Sequence, residues 1–231
     1  GAGRTDAGVH AINYVAHFDT DNPLPLQDSE RVIYKINAIL PSDIVVHDIC
    51  NVSRTAHARY DAIGRSYCYF VHTRKDPFLP DFSYYFPYNV EIAKMNEAAK
   101  YLIGEKDFTT MAKLHSDVKT NICKVTDAFW EAGSPIGVTP LLPTAFQGVL
   151  SVSHGQKYED SGAFCFTISA NRFLRNMVRA IVGSLLEVGR GKNKPEWIRD
   201  ILLKKDRSLA GNSVPAHPLF LTKIEYPYRT F

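Results

Sequence analysis

The sequence predicts an α+β fold with a largely antiparallel sheet, and three observations carry this. Runs of strand-like residues are interrupted by only a few helical stretches. Hydrophobic residues make up 45% and charged residues 22% of the chain, the balance of a folded globular protein. With 231 residues the chain is long enough to bury a real core in roughly one to two domains.

The chain opens on GAGRTDAGVHA, with three glycines, one arginine and one aspartate in its first eight positions. This reads as a working loop, because glycine lets the backbone turn or approach a ligand, whereas Arg4 and Asp6 are expensive to bury unpaired. Residues 10–18 then alternate, with Ile12, Tyr14, Ala16 and Phe18 on one side, and predict a half-buried strand. A helix is expected over 28–40, with Val32, Ile33, Ile36, Ile39 and Leu40 as its apolar stripe and Pro41 as its stop. DIVVHDI (43–49) and SYCYFVH (66–72) read as strands. Asn89 is placed to cap a helix that runs through Ile103 and stops at Gly104. Further strands are expected over 122–130, 146–153 and 163–169. Residues 133–145, with three prolines and two glycines, read as a loop or insertion. A long helix over 171–188 ends at Gly189 and Gly191, another begins near Pro195, and 218–226 supplies a last strand.

Several function classes are set aside on composition. No apolar run approaches the ~20 residues of a membrane span, and nothing resembles a signal peptide, so the cytosol is the expected compartment. Cys50, Cys68, Cys123 and Cys165 form no C-x-x-C pair and the eight histidines no H-x-x-x-H pair; reduced thiols are expected, and no metal site is legible. The net charge of +3 is a mild basic bias. Its distribution says more. Arg54, Arg59, Arg65, Arg74 and Lys75 cluster in one stretch, and Arg172, Arg175, Arg179, Arg190 and Lys192 in another, each among aromatics and glycines, as phosphate-binding surfaces are built.

The opening loop matches neither nucleotide motif. A dinucleotide fingerprint needs glycine at position 6 and a helix to follow, and a P-loop needs G-K-[ST]. What remains is a carboxylate held on a tight turn, where a nucleophile is useful. The complementary residue lies on the helix 171–191: Leu174, Val178, Ile181, Leu185 and Val188 face the core, with Arg172, Arg175 and Arg179 on a neighbouring face. Arg179 borders the apolar stripe and is the expected ion-pair partner of Asp6.

GRTDAGVHA (3–11), HARYDAIGRSYCYFV (57–71), DFTTM (107–111), FLRNMVRAIVGSLLEVGRG (173–191) and PAHPLFL (215–221) together resemble the tRNA pseudouridine synthase A family over the whole chain. The resemblance implies the pseudouridine synthase fold, a mixed, mostly antiparallel sheet flanked by helices, with a cleft between two ferredoxin-like subdomains. Here 1–54 is the remainder of the first subdomain and 55–231 the second. It also implies a leading segment ahead of the Asp motif, with a first strand and a basic RNA-contacting stretch. By the same resemblance Asp6 is the catalytic aspartate, Arg4 the arginine beside it, Tyr67 the tyrosine that stacks on the target base, and Arg179 the arginine paired with Asp6. Arg59, Arg65, Arg172 and Arg175 are expected to contact RNA. The implied reaction isomerises uridine to pseudouridine in the tRNA anticodon arm, at positions 38 to 40, with no cofactor or metal and with the enzyme as a homodimer. Pro218 stands where the family usually has glycine, and Asp61 where a small residue is commoner. Two other readings remain, a catalytically silent RNA-binding module of the same ancestry and a nucleoside hydrolase, although the latter calls for a metal-binding aspartate cluster that the sequence does not offer.

Overall fold

A computed structural model describes residues 1–22, 24, 26–113, 120–132 and 162–228. Seven strands occur among them: β1 (His10–Ala11), β2 (Gly64–His72), β3 (Tyr84–Tyr85), β4 (Gly104–Asp107), β5 (Ile122–Ala132), β6 (Ala163–Ala170) and β7 (Leu219–Glu225). They form one sheet in the order β1-β7-β2-β6-β5-β4, with β3 against β2 off this path. All the long pairings are antiparallel; only the two-residue strands β1 and β3 pair in parallel. Among the described residues four α-helices accompany the sheet: α1 (Ser29–Ile39), α2 (Ile92–Lys100), α3 (Met177–Gly189) and α4 (Trp197–Lys204). The architecture is the mostly antiparallel α+β sheet that the sequence predicts.

Alternation along β2 sends Tyr67, Tyr69 and Val71 to one face of the sheet and Cys68 and Phe70 to the other. The first set joins Trp130, Phe166, Ile168 and the buried side of α3 in the main core. The second packs with Cys165 and Phe220 in a smaller cluster closed over by Ile12 and Phe82. Burial on both faces fixes β2, and with it Tyr67, at the centre of the molecule. Because α3 is apolar on nearly all sides, it is enclosed, its MVRAIVGSLLEVG run packing against α2 as well as the sheet. Gly183 is what lets it approach the 211–214 segment so closely: a Cβ there would overlap the carbonyl oxygen of Asn212.

Four expected elements form differently. The strand over 10–18 shrinks to β1, because its ladder reaches only Phe220 and Leu221 of β7. Beyond it Tyr14 and Phe18 are exposed, and two backbone bonds, Ile12 N–H to Leu221 O and Ala2 N–H to Val15 O, tie the stretch down. The 43–49 run is not a strand. Val46 exchanges both its backbone groups with the Asn37 side-chain amide of α1, so that polar satisfaction comes from a helix side chain instead of a neighbouring strand. The 89–103 helix shortens to α2, and Gly104, at φ +101, turns the chain straight into β4. The helix expected from 171 starts only at Met177, since Asn176 adopts a left-handed φ of 66, which helix geometry excludes. The expected strand 146–153 and the loop 133–145 lie outside the described residues. No helix among the described residues is long and apolar enough to cross a membrane.

Candidate active site

The opening loop is pinned at four points. Ala2 is buried, its N–H donating to Val15 O and its carbonyl accepting from Arg65 Nη2 at 3.1 Å. Tyr14 Oη donates to Gly3 O at 2.9 Å. Val9 N–H closes a turn onto Asp6 O, and the left-handed position in that turn falls on Gly8 at φ +83, where it carries no steric penalty. Asp6 therefore projects from a tight turn whose one left-handed residue is a glycine.

Arg179, in the first turn of α3, meets it. Arg179 Nη1 donates to Asp6 Oδ2 at 2.8 Å, with the Arg179 and Asp6 side chains 22% and 21% exposed. The same guanidinium donates from Nε to Val214 O at 2.7 Å, and Val214 N–H returns a bond to Arg179 O. The fork is thus held at both ends, which orients the carboxylate as well as matching its charge. Arg175 Nε lies 3.6 Å from the other oxygen, Oδ1, but its side chain is 63% exposed. Arg172 and Arg175 do not share a helical face with Arg179. They lie in the turn ahead of α3, and the left-handed Asn176, held by its Nδ2 donating to Ser213 Oγ, swings Arg175 back over Asp6.

Tyr67 is buried beside this centre, with Phe173 edge-on at 5.1 Å and 89°. Burial pushes its phenol up to about 12; Arg65 opposes the rise, and the charge of Asp6 adds to it. Arg65 sits apart from the free cations expected at an RNA surface. Its two terminal nitrogens donate to the carbonyls of Ala62, Asn171, Ala2 and Arg59, so it straps the 57–62 turn to the Asp6 loop and to the segment carrying Arg172. Burial lowers its pKa, and the nearby Arg59 and Arg172 cations add to that effect. Arg59 and Arg172 are half-buried, and Arg4 is exposed and unpaired among the described residues. Arg190, of the same sequence cluster, packs its guanidinium 3.6 Å from the centroid of the Tyr88 ring.

Asp61 also has a defined place. Its carboxylate accepts His57 N–H at 2.7 Å and Tyr228 Oη at 2.9 Å, and the backbone bond above all holds its pKa below the usual carboxylate value. Sequence reasoning missed Phe173, Tyr14 and the Val214 carbonyl, and only Phe173, two residues ahead of Arg175 in an aromatic-basic run, left a signal. Among the described residues no group of three His, Cys, Asp or Glu could hold a metal ion.

The arrangement is a carboxylate fixed between two guanidinium groups next to a buried aromatic ring. Residues 98–227 match the family model described as tRNA pseudouridine synthase. A Bacteroides fragilis protein named tRNA pseudouridine synthase A is 46% identical over 231 residues, 100% of this chain and 81% of that protein. Porphyromonas gingivalis has one of the same name at 43% over 231 residues, again 100% and 81%. A Bacillus subtilis protein, also of that name, is 35% identical over 227 residues, 97% of this chain and 80% of its own length. A likeness sustained from the Asp6 loop to β7 in distant bacteria, joined to the family match, has one reading: the chain belongs to the tRNA pseudouridine synthase family.

Proposed function

We propose that the protein isomerises uridine to pseudouridine in tRNA, at positions 38 to 40 of the anticodon arm, with Asp6 as the catalytic carboxylate. The observation that carries the reading is the Asp6 carboxylate held 2.8 Å from Arg179 on a pinned turn. In the reaction the C1′–N1 bond breaks, the base rotates and C1′ bonds to C5; the C5 proton leaves to solvent and N1 takes one up. Bond cleavage builds positive character at the sugar, and a single oriented carboxylate serves it by attacking C1′ or by taking a sugar proton. The uridine must leave its stack to reach Asp6, and in this reading Tyr67 replaces the lost stacking. Arg4, Arg59, Arg172 and Arg175 supply the positive surface for the backbone, which positions the arm without reading sequence. The test is tritium release from tRNA labelled at uracil C5. Asp6→Asn keeps the side chain's shape but removes its charge, so release stops while tRNA binding persists; substantial release by this variant overturns the assignment.

The same reading makes 1–54 the remainder of a first ferredoxin-like subdomain and 55–231 the second, with the cleft between them. The absence of any buried residue among the described positions from 12 to 54, against a continuous core from Ala58 onward, supports the boundary. A tRNA substrate supports a cytoplasmic location. A homodimer, implied by the family resemblance, doubles the positive surface along one tRNA. Light scattering of the full-length protein at micromolar concentration, with and without tRNA, tests it, and a monomeric mass in both conditions refutes it.

A further inference from the structure

Outside the centre just described, the most ordered group of exposed aromatics is the turn at 57–61. Tyr60 is 75% exposed, yet its ring is not loose. It stacks on His57 at 4.2 Å and 30°, and His57 in turn lies against His17 at 4.6 Å. His57 Nδ1 accepts the backbone N–H groups of Arg59 and Tyr60, and His17 Nδ1 accepts that of Ala58. Asp61 holds His57 N–H, and Tyr226 Oη donates to Ala58 O at 2.6 Å. Seven side-chain contacts thus fix a turn that keeps the Tyr60 ring largely exposed. Arg59 stands 5.5 Å from the Tyr60 ring centroid, and Arg65 ties Arg59 O and Ala2 O together, four residues from Asp6.

We propose that Tyr60 is a base-stacking platform for an unpaired nucleobase of the tRNA other than the target uridine, with Arg59 holding an adjoining phosphate. A rigid ring presented to solvent loses little entropy when a base lands on it, and stacking of this kind is worth ~1–3 kcal/mol per base whatever the base. Tyr67 does not fill this role, since the reading above gives its ring to the target uridine beside Asp6. Tyr60 instead fixes the strand on which the target uridine lies, so it is a positioning residue. The proposal rests on the tRNA reading above.

The experiment measures tRNA affinity and turnover for the parent protein, Tyr60→Ala, Tyr60→Phe and Arg59→Ala across a salt series. Tyr60→Ala weakens binding roughly fivefold to a hundredfold by the same factor at every salt concentration, with kcat held within about twofold. Tyr60→Phe binds as the parent does. Arg59→Ala instead flattens the dependence of log Kd on log salt by about 0.7 to 0.9, the signature of one lost phosphate contact. An anticodon-arm RNA carrying single abasic nucleotides then locates the partner: at one position other than the target, base removal and Tyr60→Ala are no worse together than either alone. Parental affinity in Tyr60→Ala, a loss shared by Tyr60→Phe, or additivity at every abasic position overturns the proposal. A parent protein with no activity on tRNA would instead remove the functional reading itself.

Discussion

Deleting the Arg179 guanidinium is the sharpest perturbation of the site. Arg179→Ala removes two charge-assisted hydrogen bonds, 2.8 Å to Asp6 and 2.7 Å to Val214 O. Bonds to charged groups contribute ~1.5–3 kcal/mol each, but both members of the pair are about one-fifth exposed, so solvent screening moves the figure to the low end. The variant should lose roughly 2–4 kcal/mol of stability, partly because Asp6 is left half-buried without its partner. A double-mutant cycle with Asp6→Asn, followed by urea unfolding, should isolate a coupling of about 1–2 kcal/mol. The parallel cycle with Arg175→Ala, at 3.6 Å and 63% exposure, should give under about 0.5 kcal/mol. Turnover, followed by tritium release, should fall far more in Arg179→Ala than in Arg175→Ala. Equal couplings in the two cycles, or equal losses of turnover, refute the reasoning.

Three more outcomes follow from the geometry. Tyr67 holds its proton up to about 12 in the folded protein, whereas the unfolded chain releases it near 10. The contribution is therefore complete below pH 10 and lost as pH rises towards 12, roughly 3 kcal/mol in all, and Tyr67→Phe should flatten the alkaline fall in Tm; identical pH profiles would contradict this. Gly183→Ala should destabilise at the upper end of ~1–3 kcal/mol, reversing the usual ~1 kcal/mol helical gain, because the new Cβ meets the Asn212 carbonyl; a Tm at or above the parent's would show that the segment yields. Arg65→Gln should speed amide exchange at Ala2 and Val9 and lower turnover while leaving the salt slope of tRNA binding unchanged, since its donors are engaged by carbonyls; a changed slope would make it a phosphate ligand.

The sequence made strands legible where both the alternation and a neighbouring strand were available, as at β2, β5, β6 and β7. It misled where only the pattern was present. DIVVHDI has the β-branched residues of a strand, but its Val46 is claimed by Asn37, and no local pattern encodes that long-range amide. The helix start failed at one residue: Asn176 lies inside a run of good helix periodicity, and its tolerance of left-handed geometry was the single available warning. The Asp6–Arg179 contact was legible because charge economy demands a partner for each. The fate of Arg65 was not, since four carbonyls from separate segments converge on it only after folding, and a sequence shows cations without showing what already occupies them.

The Asp6–Arg179 contact spans 173 positions of sequence, and this has a consequence for how the protein is made. At about 5–20 residues per second on a ribosome, Asp6 precedes Arg179 by roughly 9 to 35 s, and β7, which pairs with β1 beside the Asp6 loop, comes later still. Through that interval the aspartate has neither its guanidinium nor the strand that seats its loop. A nascent chain therefore exposes the charged residues of its front half well before its catalytic centre is assembled. Competence arrives as a late event of synthesis, when α3 and β7 dock, and a stalled or prematurely released chain lacks the guanidinium that orients its aspartate.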